Sequence, residues 1–497
     1  MNLFKYNYNN KRYHTLNYEY NKIFGCKIAK ISLNGGFTCP NIDGTKGYGG
    51  CTYCSKLGSG DFAGDKTKSL IDQFNDVKSV IGKKWKNCKY IAYFQANTNT
   101  YAGVSKLKEK YEEVLKFDNV VGLSISTRPD SISDEVLDYL TELNNRCYLT
   151  IELGLQTIHE ATSKLINRCH TLECFDDMVN KLKQRKIRVV AHIINGLPYE
   201  TKDMMIETAK HLNKLKVDGV KIHMLHILKD TAMLNLYLKD HFHILTKEEY
   251  IDITCTQLEY LHEDIVIHRI TGDPDVSDLV EPSWLKKKFT VLNDIDKELE
   301  RRNSYQGFNR SILNKERAII DKFVKINDLV VDATVGNGHD ILNLSKYVKN
   351  GMLFGFDIQK KAILNTKNLL ESNNVTNYKL FNIGHENILD VLHNYVGKIS
   401  LIMFNLGYLP GCNKEITTMH DTTIKAIRDS LKLLNNKGMI LVVIYPGHAE
   451  GIIEHNEIQK FIISIKDKYR ISEYHNTDKS NAPYLIVIEK SNKVIDI

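Results

Sequence analysis

Between residues 27 and 225 the chain alternates two hydrophobic patterns. Short runs ("KIAKISLN", "YIAYFQAN", "VVGLSIST", "CYLTIELG", "IRVVAHII" and "GVKIHML") are β-rich and largely apolar. Between them lie longer stretches whose apolar residues recur every three or four positions, such as "SDEVLDYLTELNN" and "ETKDMMIETAKHLNKLK". The first pattern predicts strands and the second amphipathic helices. Six such units in succession predict an α/β fold with a parallel sheet, in the form of an open or partial (β/α)6 barrel. Chemistry in such folds sits at the C-terminal ends of the strands. The charged stretch "SWLKKKFTVLNDIDKELERRNSYQGFNRS" then predicts a closing helix and a linker. A second α/β pattern follows from about Ala318, with strands in "DLVVDATVG", "GMLFGFDIQ", "KISLIMFNLGY", "GMILVVIYPG" and "PYLIVIEK". The change of pattern places a boundary near residue 308 and predicts two domains, 1–308 and 309–497.

Composition narrows the picture modestly. A chain of 497 residues with 42% hydrophobic and 26% charged residues is ordinary for folded protein and excludes disorder as a whole. A net charge of +7 permits a nucleic-acid partner without requiring one. The opening "MNLFKYNYNNKRYHTLNYEY" has no apolar core of a signal peptide, and no run reaches the length of a membrane span. Seven of the ten cysteines are scattered singly, which is not a disulfide framework. A cytoplasmic protein with no membrane association is the expectation.

The other three cysteines, Cys39, Cys51 and Cys54, fall in "CPNIDGTKGYGGCTYC", just past the first strand. Thiolates at this spacing reach one metal centre, and glycines at 44, 47, 49 and 50 let the loop fold around it. A structural zinc knuckle would need a fourth ligand at close range. His14 is far upstream, the next histidine is His159, and Cys26 opens a strand. An iron–sulfur cluster with an open position is the stronger reading, and zinc remains the alternative.

The trio, with "YFQANTNTYA" (93–102), "STRPD" (126–130), "IELGLQT" (151–157), "INRCHT" (166–171), "GLPYET" (196–201), "RITGD" (269–273) and "IDKELERRNSYQG" (295–307), resembles the radical S-adenosylmethionine (SAM) enzymes. The likeness is to a subgroup related to the Elongator catalytic subunit, and it covers about residues 10–308. The spacing here is C-x11-C-x2-C, against the usual C-x3-C-x2-C. The resemblance implies a 4Fe–4S cluster on Cys39, Cys51 and Cys54, with SAM on the iron left open. It implies an electron donor such as a flavodoxin or ferredoxin. At strand ends, Glu152 is a candidate for the SAM amino group or ribose, with Gln156 in the next turn. Arg168 and Arg128 are candidates for a carboxylate or phosphate, and Gln95, Asn97 and His192 are further polar candidates.

In the second half, "VVDATVGNGHD" (330–340) is an apolar strand ending in Asp332, then a turn with Gly336 and Gly338, then a helix. It lacks G-x-G-x-x-G and the lysine of a P-loop. Asp357 closes the next strand, where a carboxylate takes a ribose diol. The loop resembles the first motif of class I SAM-dependent methyltransferases. That resemblance implies Asp332, Gly336 and Gly338 at the methionine part, with Thr334 and His339 beside them. It implies Asp357 at the ribose with Gln359, and "FNIGHEN" (381–387), hence His385 and Glu386, beside the adenine. "FNLGYLPG" (404–411) stands where amino-methyltransferases carry Asn-Pro-Pro-Tyr, so Asn405 and Tyr408 are the catalytic candidates, without the prolines. His385, His420 and His448 are candidate proton acceptors.

Together with "DTTIKAI" (421–427) and "YPGHAEG" (445–451), residues 309–497 resemble a small methyltransferase family labelled as rRNA methylases, whose members act on the wobble uridine of tRNA. The two resemblances imply one bifunctional enzyme on tRNA. The first half would convert 5-carboxymethylaminomethyl-(2-thio)uridine to 5-aminomethyl-(2-thio)uridine, and the second would N-methylate the amine. Alternatives are the same two chemistries on another RNA nucleoside or on a protein, and a non-catalytic RNA-binding scaffold.

Overall fold

The computed structural model describes residues 4–55, 63–85, 87–272, 274–407, 418–447, 449–475 and 482–490. The chain divides into two compact units, Met1–Gly307 and Phe308–Ile497.

In the first unit, seven strands form one parallel sheet in sequential order: β1 (Ile28–Leu33), β2 (Lys89–Phe94), β3 (Val120–Thr127), β4 (Tyr148–Gln156), β5 (Arg188–Asn195), β6 (Gly219–Met224) and β7 (Val266–Arg269). This is a partial barrel with β1 and β7 at its edges. The sequence pattern predicts six of these strands. The four residues of β7 are too few to show a periodicity and are recruited by pairing with β6. The helices between strands start where side chains replace missing backbone acceptors. Ser133, Thr171, Thr201 and Thr231 each accept a hydrogen bond from the N–H three residues on.

The pleat sorts the strand residues into two sets, because successive side chains point to opposite faces. Ile31 and Leu33, Ala92 and Phe94, Leu123 and Ile125, and Ile151 and Leu153 belong to the buried core. The positions between them carry polar groups. Lys30, Tyr93, Ser126, Glu152, His192 and Lys221 line a cavity of about 520 Å³ on the other face.

In the second unit the sheet order is β10–β9–β8–β11–β12–β14–β13. The strands are β8 (Leu329–Asp332), β9 (Met352–Phe356), β10 (Tyr378–Phe381), β11 (Ile399–Asn405), β12 (Leu434–Ile444), β13 (Arg470–His475) and β14 (Tyr484–Glu489). Pairing is parallel from β10 through β12, and β14 runs antiparallel to both its neighbours. This is a Rossmann-like fold whose order reverses next to β8. Two cores flank the sheet: Val331, Phe354, Ile402 and Val442 contribute to one, and Val330, Leu353, Leu401 and Leu441 to the other. Burial on both faces explains why these strands read as unbroken apolar runs.

Candidate active sites

The cysteine loop leaves the C-terminal end of β1 and is held down by the segment after β4. The buried Asn41 donates its amide to the Asn167 carbonyl at 2.6 Å and stands 3.5 Å from the Cys51 sulfur. Asn167 in turn donates to the Gly50 carbonyl at 2.8 Å, and the Thr52 N–H to the Ile166 carbonyl at 3.1 Å. Gly49 and Gly50 both have φ near +77°, at 76° and 78°, a region that glycine enters without strain. Cys39, Cys51 and Cys54 all border the 520 Å³ cavity. The Cys51 thiol is pulled down to about 6 by a hydrogen bond from Cys54, with the Arg128 charge helping against burial. It is therefore largely thiolate at neutral pH, the form that ligates metal. Among the described residues, no three metal-binding side chains are already gathered around one point. The donor set nonetheless fits a cluster: three thiols from one loop face one cavity, and one is poised as an anion.

Below the loop lies a charged floor. The Glu152 side chain is fully buried. Its Oε1 accepts from Lys30 Nζ at 2.6 Å and Ser124 Oγ at 2.7 Å; its Oε2 pairs with His192 Nε2 at 2.9 Å and with Lys221. Burial alone would raise its pKa, but Lys221 and Lys30 outweigh it and hold the carboxyl well below the usual range. Lys30 is lowered to about 8 by burial, against the attraction of Glu152. Burial also keeps His192 (down to about 4), His223 and His268 neutral. Each buried ion costs several kcal/mol in desolvation, whereas a leucine in its place would contribute about 1.5–3 kcal/mol. Stability alone does not account for this floor.

The second unit carries its own site at the reversal of strand order. Asp332 ends β8 and is buried; its Oδ1 accepts from the Thr334 N–H at 3.1 Å, and its Oδ2 has no hydrogen-bond partner among the described residues. Gly338 has φ 83°, and a Cβ there would meet the Thr366 Cα at 2.9 Å. Asp357, past the end of β9, accepts from the Gly336 N–H at 3.1 Å and the Gln359 N–H at 2.8 Å, which ties the turn to the neighbouring strand. Thr334 accepts from the Asn405 N–H at 2.8 Å, and the Asn405 amide donates to Asp340 at 3.1 Å. Asp332 is raised well above the carboxylate range by burial and by Asp340.

The comparisons agree with this geometry. Residues 45–212 match the Radical SAM superfamily, 217–301 the Radical_SAM C-terminal domain, and 353–490 the family described as "Putative rRNA methylase". The uncharacterized protein YtqA of Bacillus subtilis is 53% identical over 318 residues, 64% of this chain and 99% of that protein. The chain belongs to the radical SAM superfamily, fused to a methyltransferase. Protein YhcC of Escherichia coli is 34% identical over 277 residues, 56% of this chain and 88% of that protein. The chloroplastic tRNA (mnm(5)s(2)U34)-methyltransferase of Arabidopsis thaliana is 36% identical over 151 residues, 28% of this chain and 55% of that protein. The chain is an enzyme, and its radical SAM family implies a 4Fe–4S cluster and SAM.

In the radical SAM unit Arg168 is buried, and its guanidinium donates to the carbonyls of Leu155 (2.7 Å), Thr157 and His170 (2.9 and 3.1 Å). It borders the cavity while fixing the backbone around it. Glu152 borders the cavity, but both its oxygens are already engaged by lysines, a serine and a histidine. Gln156 lines the same cavity with φ 61°. Arg128 forms a two-pronged pair with Asp130 at 2.9 Å and donates to the Arg168 carbonyl at 2.9 Å. Arg168→Lys is expected to destabilise this unit by about 3–5 kcal/mol, because a compact ammonium cannot span the carbonyls that the planar guanidinium fork reaches and is left buried with its charge poorly satisfied. Chemical denaturation monitored beside iron content checks this.

In the methyltransferase unit, Asp332, Thr334, Gly336, Gly338, Asp357 and Gln359 come together around one turn. His339 opens the helix that follows it. His385 is buried, with its Nε2 lacking a partner among the described residues, and Glu386 follows it in the same short turn. His420 pairs with Glu450 at 3.0 Å, which raises its pKa, so it is a surface ion-pair member rather than a free base. Tyr408 and His448 lie outside the described residues. Sequence reasoning missed Glu316, on the helix Ile312–Phe323. It is buried, its Oε1 has no partner among the described residues, and burial with Asp340 and Asp332 raises it well above the usual range. It lies before the glycine turn, and no spacing rule connects it to the site. Among the described residues no helix is long and apolar enough to cross a membrane.

Proposed function

We propose that the chain modifies the wobble uridine of tRNA in two successive steps in the cytoplasm. The radical SAM unit removes the carboxymethyl group from 5-carboxymethylaminomethyl-(2-thio)uridine. The methyltransferase unit then converts the exposed 5-aminomethyl group to 5-methylaminomethyl. The observation that carries this is the pairing, in one chain, of a radical SAM unit with a methyltransferase 36% identical to an enzyme named for that nucleoside. Relatives of the first unit include Elongator complex protein 3 of Schizosaccharomyces pombe, 26% identical over 190 residues.

Cys39, Cys51 and Cys54 would hold the cluster, which supplies one electron for reductive cleavage of SAM and so a radical able to take hydrogen from the arm. A flavodoxin or ferredoxin is the electron donor. The chain's own residues close the loop against the 166–170 segment and line the cavity. In the second site the Asp332–Gly338 turn would hold SAM, with Asp357 the residue that would take its ribose. The neutral amine attacks the methyl carbon in line; the N–C bond forms as the S–C bond breaks, and S-adenosylhomocysteine leaves. Positioning supplies most of the effect. Asn405, held by Asp340, orients the amine, and the product leaves as a methylammonium ion that exchanges its proton with water.

Nucleoside mass spectrometry tests the whole reading. The chain is expressed in a bacterium whose tRNA stops at 5-carboxymethylaminomethyl-2-thiouridine. The 5-methylaminomethyl nucleoside is expected. No change, with iron and sulfide confirmed in the protein, would transfer both activities to another substrate.

A further inference from the structure

We infer that Lys30 and Lys221, on the floor of the radical SAM cavity, receive the carboxylate of the arm that the first step removes. This rests on the two-step reading above and specifies how that site chooses its substrate.

The floor carries more cation than anion. Among the described residues lining the cavity, Glu152 is the sole carboxylate, and it is divided between two ammonium groups, Lys30 on Oε1 and Lys221 on Oε2. Arg128, Arg168 and Arg269 also line the cavity, and Arg168 is bonded to backbone carbonyls. Arg128 has its own partner in Asp130, and the three floor histidines are neutral. An ammonium has three donors. Lys30 directs two at Ser124 (2.9 Å) and Glu152, and Lys221 two at Tyr93 (3.0 Å) and Glu152. Among the described residues no hydrogen bond to the third donor of either ammonium is recorded, which leaves each one for a ligand. Both ammonium groups also lie against the Tyr93 ring, at 4.7 and 4.5 Å from its centre, and both bond the same carboxylate. A carboxylate entering here meets two ammonium groups that share a single carboxylate; a neutral or cationic group leaves that excess of positive charge uncompensated.

Depth selects the same ligand. Lys30 is three residues before the end of β1, so the floor lies about 10 Å below the strand ends. The cysteine loop starts above those ends. A base held near the mouth reaches the floor only through a substituent, and the carboxymethyl arm is a substituent that ends in an anion. The neutral His223 and His268 add hydrogen-bonding capacity there without adding charge.

The test uses the full chain with its cluster reconstituted and dithionite as reductant. Two anticodon stem-loops are compared, one carrying the carboxymethylaminomethyl arm and one its methyl ester. The free carboxylate is expected to be preferred about 10- to 100-fold in kcat/KM, the value of a charge-assisted hydrogen bond, mainly through KM. Lys221→Met and Lys30→Met should each reduce that preference to near parity, and Lys221→Arg should retain it. If the wild-type chain converts neither arm, the two-step reading fails and this inference with it. If it converts both arms equally, or if the methionine variants retain the preference, the inference is overturned while the two-step reading stands. If the methionine variants fail to hold iron, the wild-type comparison together with Lys221→Arg decides.

Discussion

Cys51→Ala is expected to abolish the radical step while leaving methylation of a preformed 5-aminomethyl nucleoside unchanged. Cys51 is one of three thiols facing the cavity and the one whose pKa falls to about 6. Its loss removes a ligand outright, and the expected fall in the first step exceeds the roughly 100-fold that outer-shell substitutions cost. Iron and sulfide content should fall with it. Methylation should survive because Asp332, Asp357 and Asn405 belong to the other compact unit. Paired assays on stem-loops bearing each nucleoside check both halves. Loss of both steps would refute two independent sites. Zinc in place of iron in the wild-type chain would turn the cysteine loop into a structural knuckle and remove the radical step from the proposal.

Asp332→Ala should do the reverse and let the 5-aminomethyl nucleoside accumulate. The carboxyl is buried at the end of β8 with one oxygen unpartnered, beside Asp340. Such a group is unfavourable in the empty protein and becomes favourable when a cationic ligand arrives. A charge-assisted bond contributes about 1.5–3 kcal/mol, so SAM affinity should fall about 10- to 100-fold. The sign of the stability effect separates this from a structural role. A raised carboxyl pKa means that the folded state holds the proton longer than the unfolded chain. Stability is then lost as pH rises from the unfolded value of about 3.9 through the folded one. Alanine removes that loss, so the ligand-free variant should be no less stable than the wild type at neutral pH. A calorimetric titration with SAM beside a melting curve measures both. A variant that melts early and binds SAM normally would make Asp332 a structural residue.

The sequence carried most of the architecture and two of the three chemical features. Period-two and period-3.6 patterns are local, so the strand–helix alternation was legible along most of the chain, but β7 and β10, four residues each, were too short to register, and the edge strand β13 was missed. The cysteine trio and the Asp332–Gly338 turn followed by Asp357 are compact motifs, each confined to one loop or one strand–turn–strand unit, and spacing alone exposes them. Arg168 shows the limit of that reasoning: its hydrogen bonds to the carbonyls of Leu155, Thr157 and His170 follow no local pattern and appear only in the folded chain.

The charged floor was decided by tertiary structure alone. Lys30 and Glu152 are 122 residues apart, and Lys221 is 69 beyond Glu152. Each sits singly in an apolar run; the sequence singles out Glu152 as a candidate but gives no sign of its partners Lys30 and Lys221. They meet because a parallel sheet built in sequential order places alternate side chains of successive strands on one face, so strand order and pleat parity together choose which interruptions share a cavity. Glu316 joins Asp332 and Asp340 in the same manner, through the packing of a helix onto a sheet. What the sequence determined was local: the elements, the metal-binding loop and the nucleotide turn. What the fold decided was which distant charges face each other, because their protonation and their counter-ions depend on burial that no local pattern encodes.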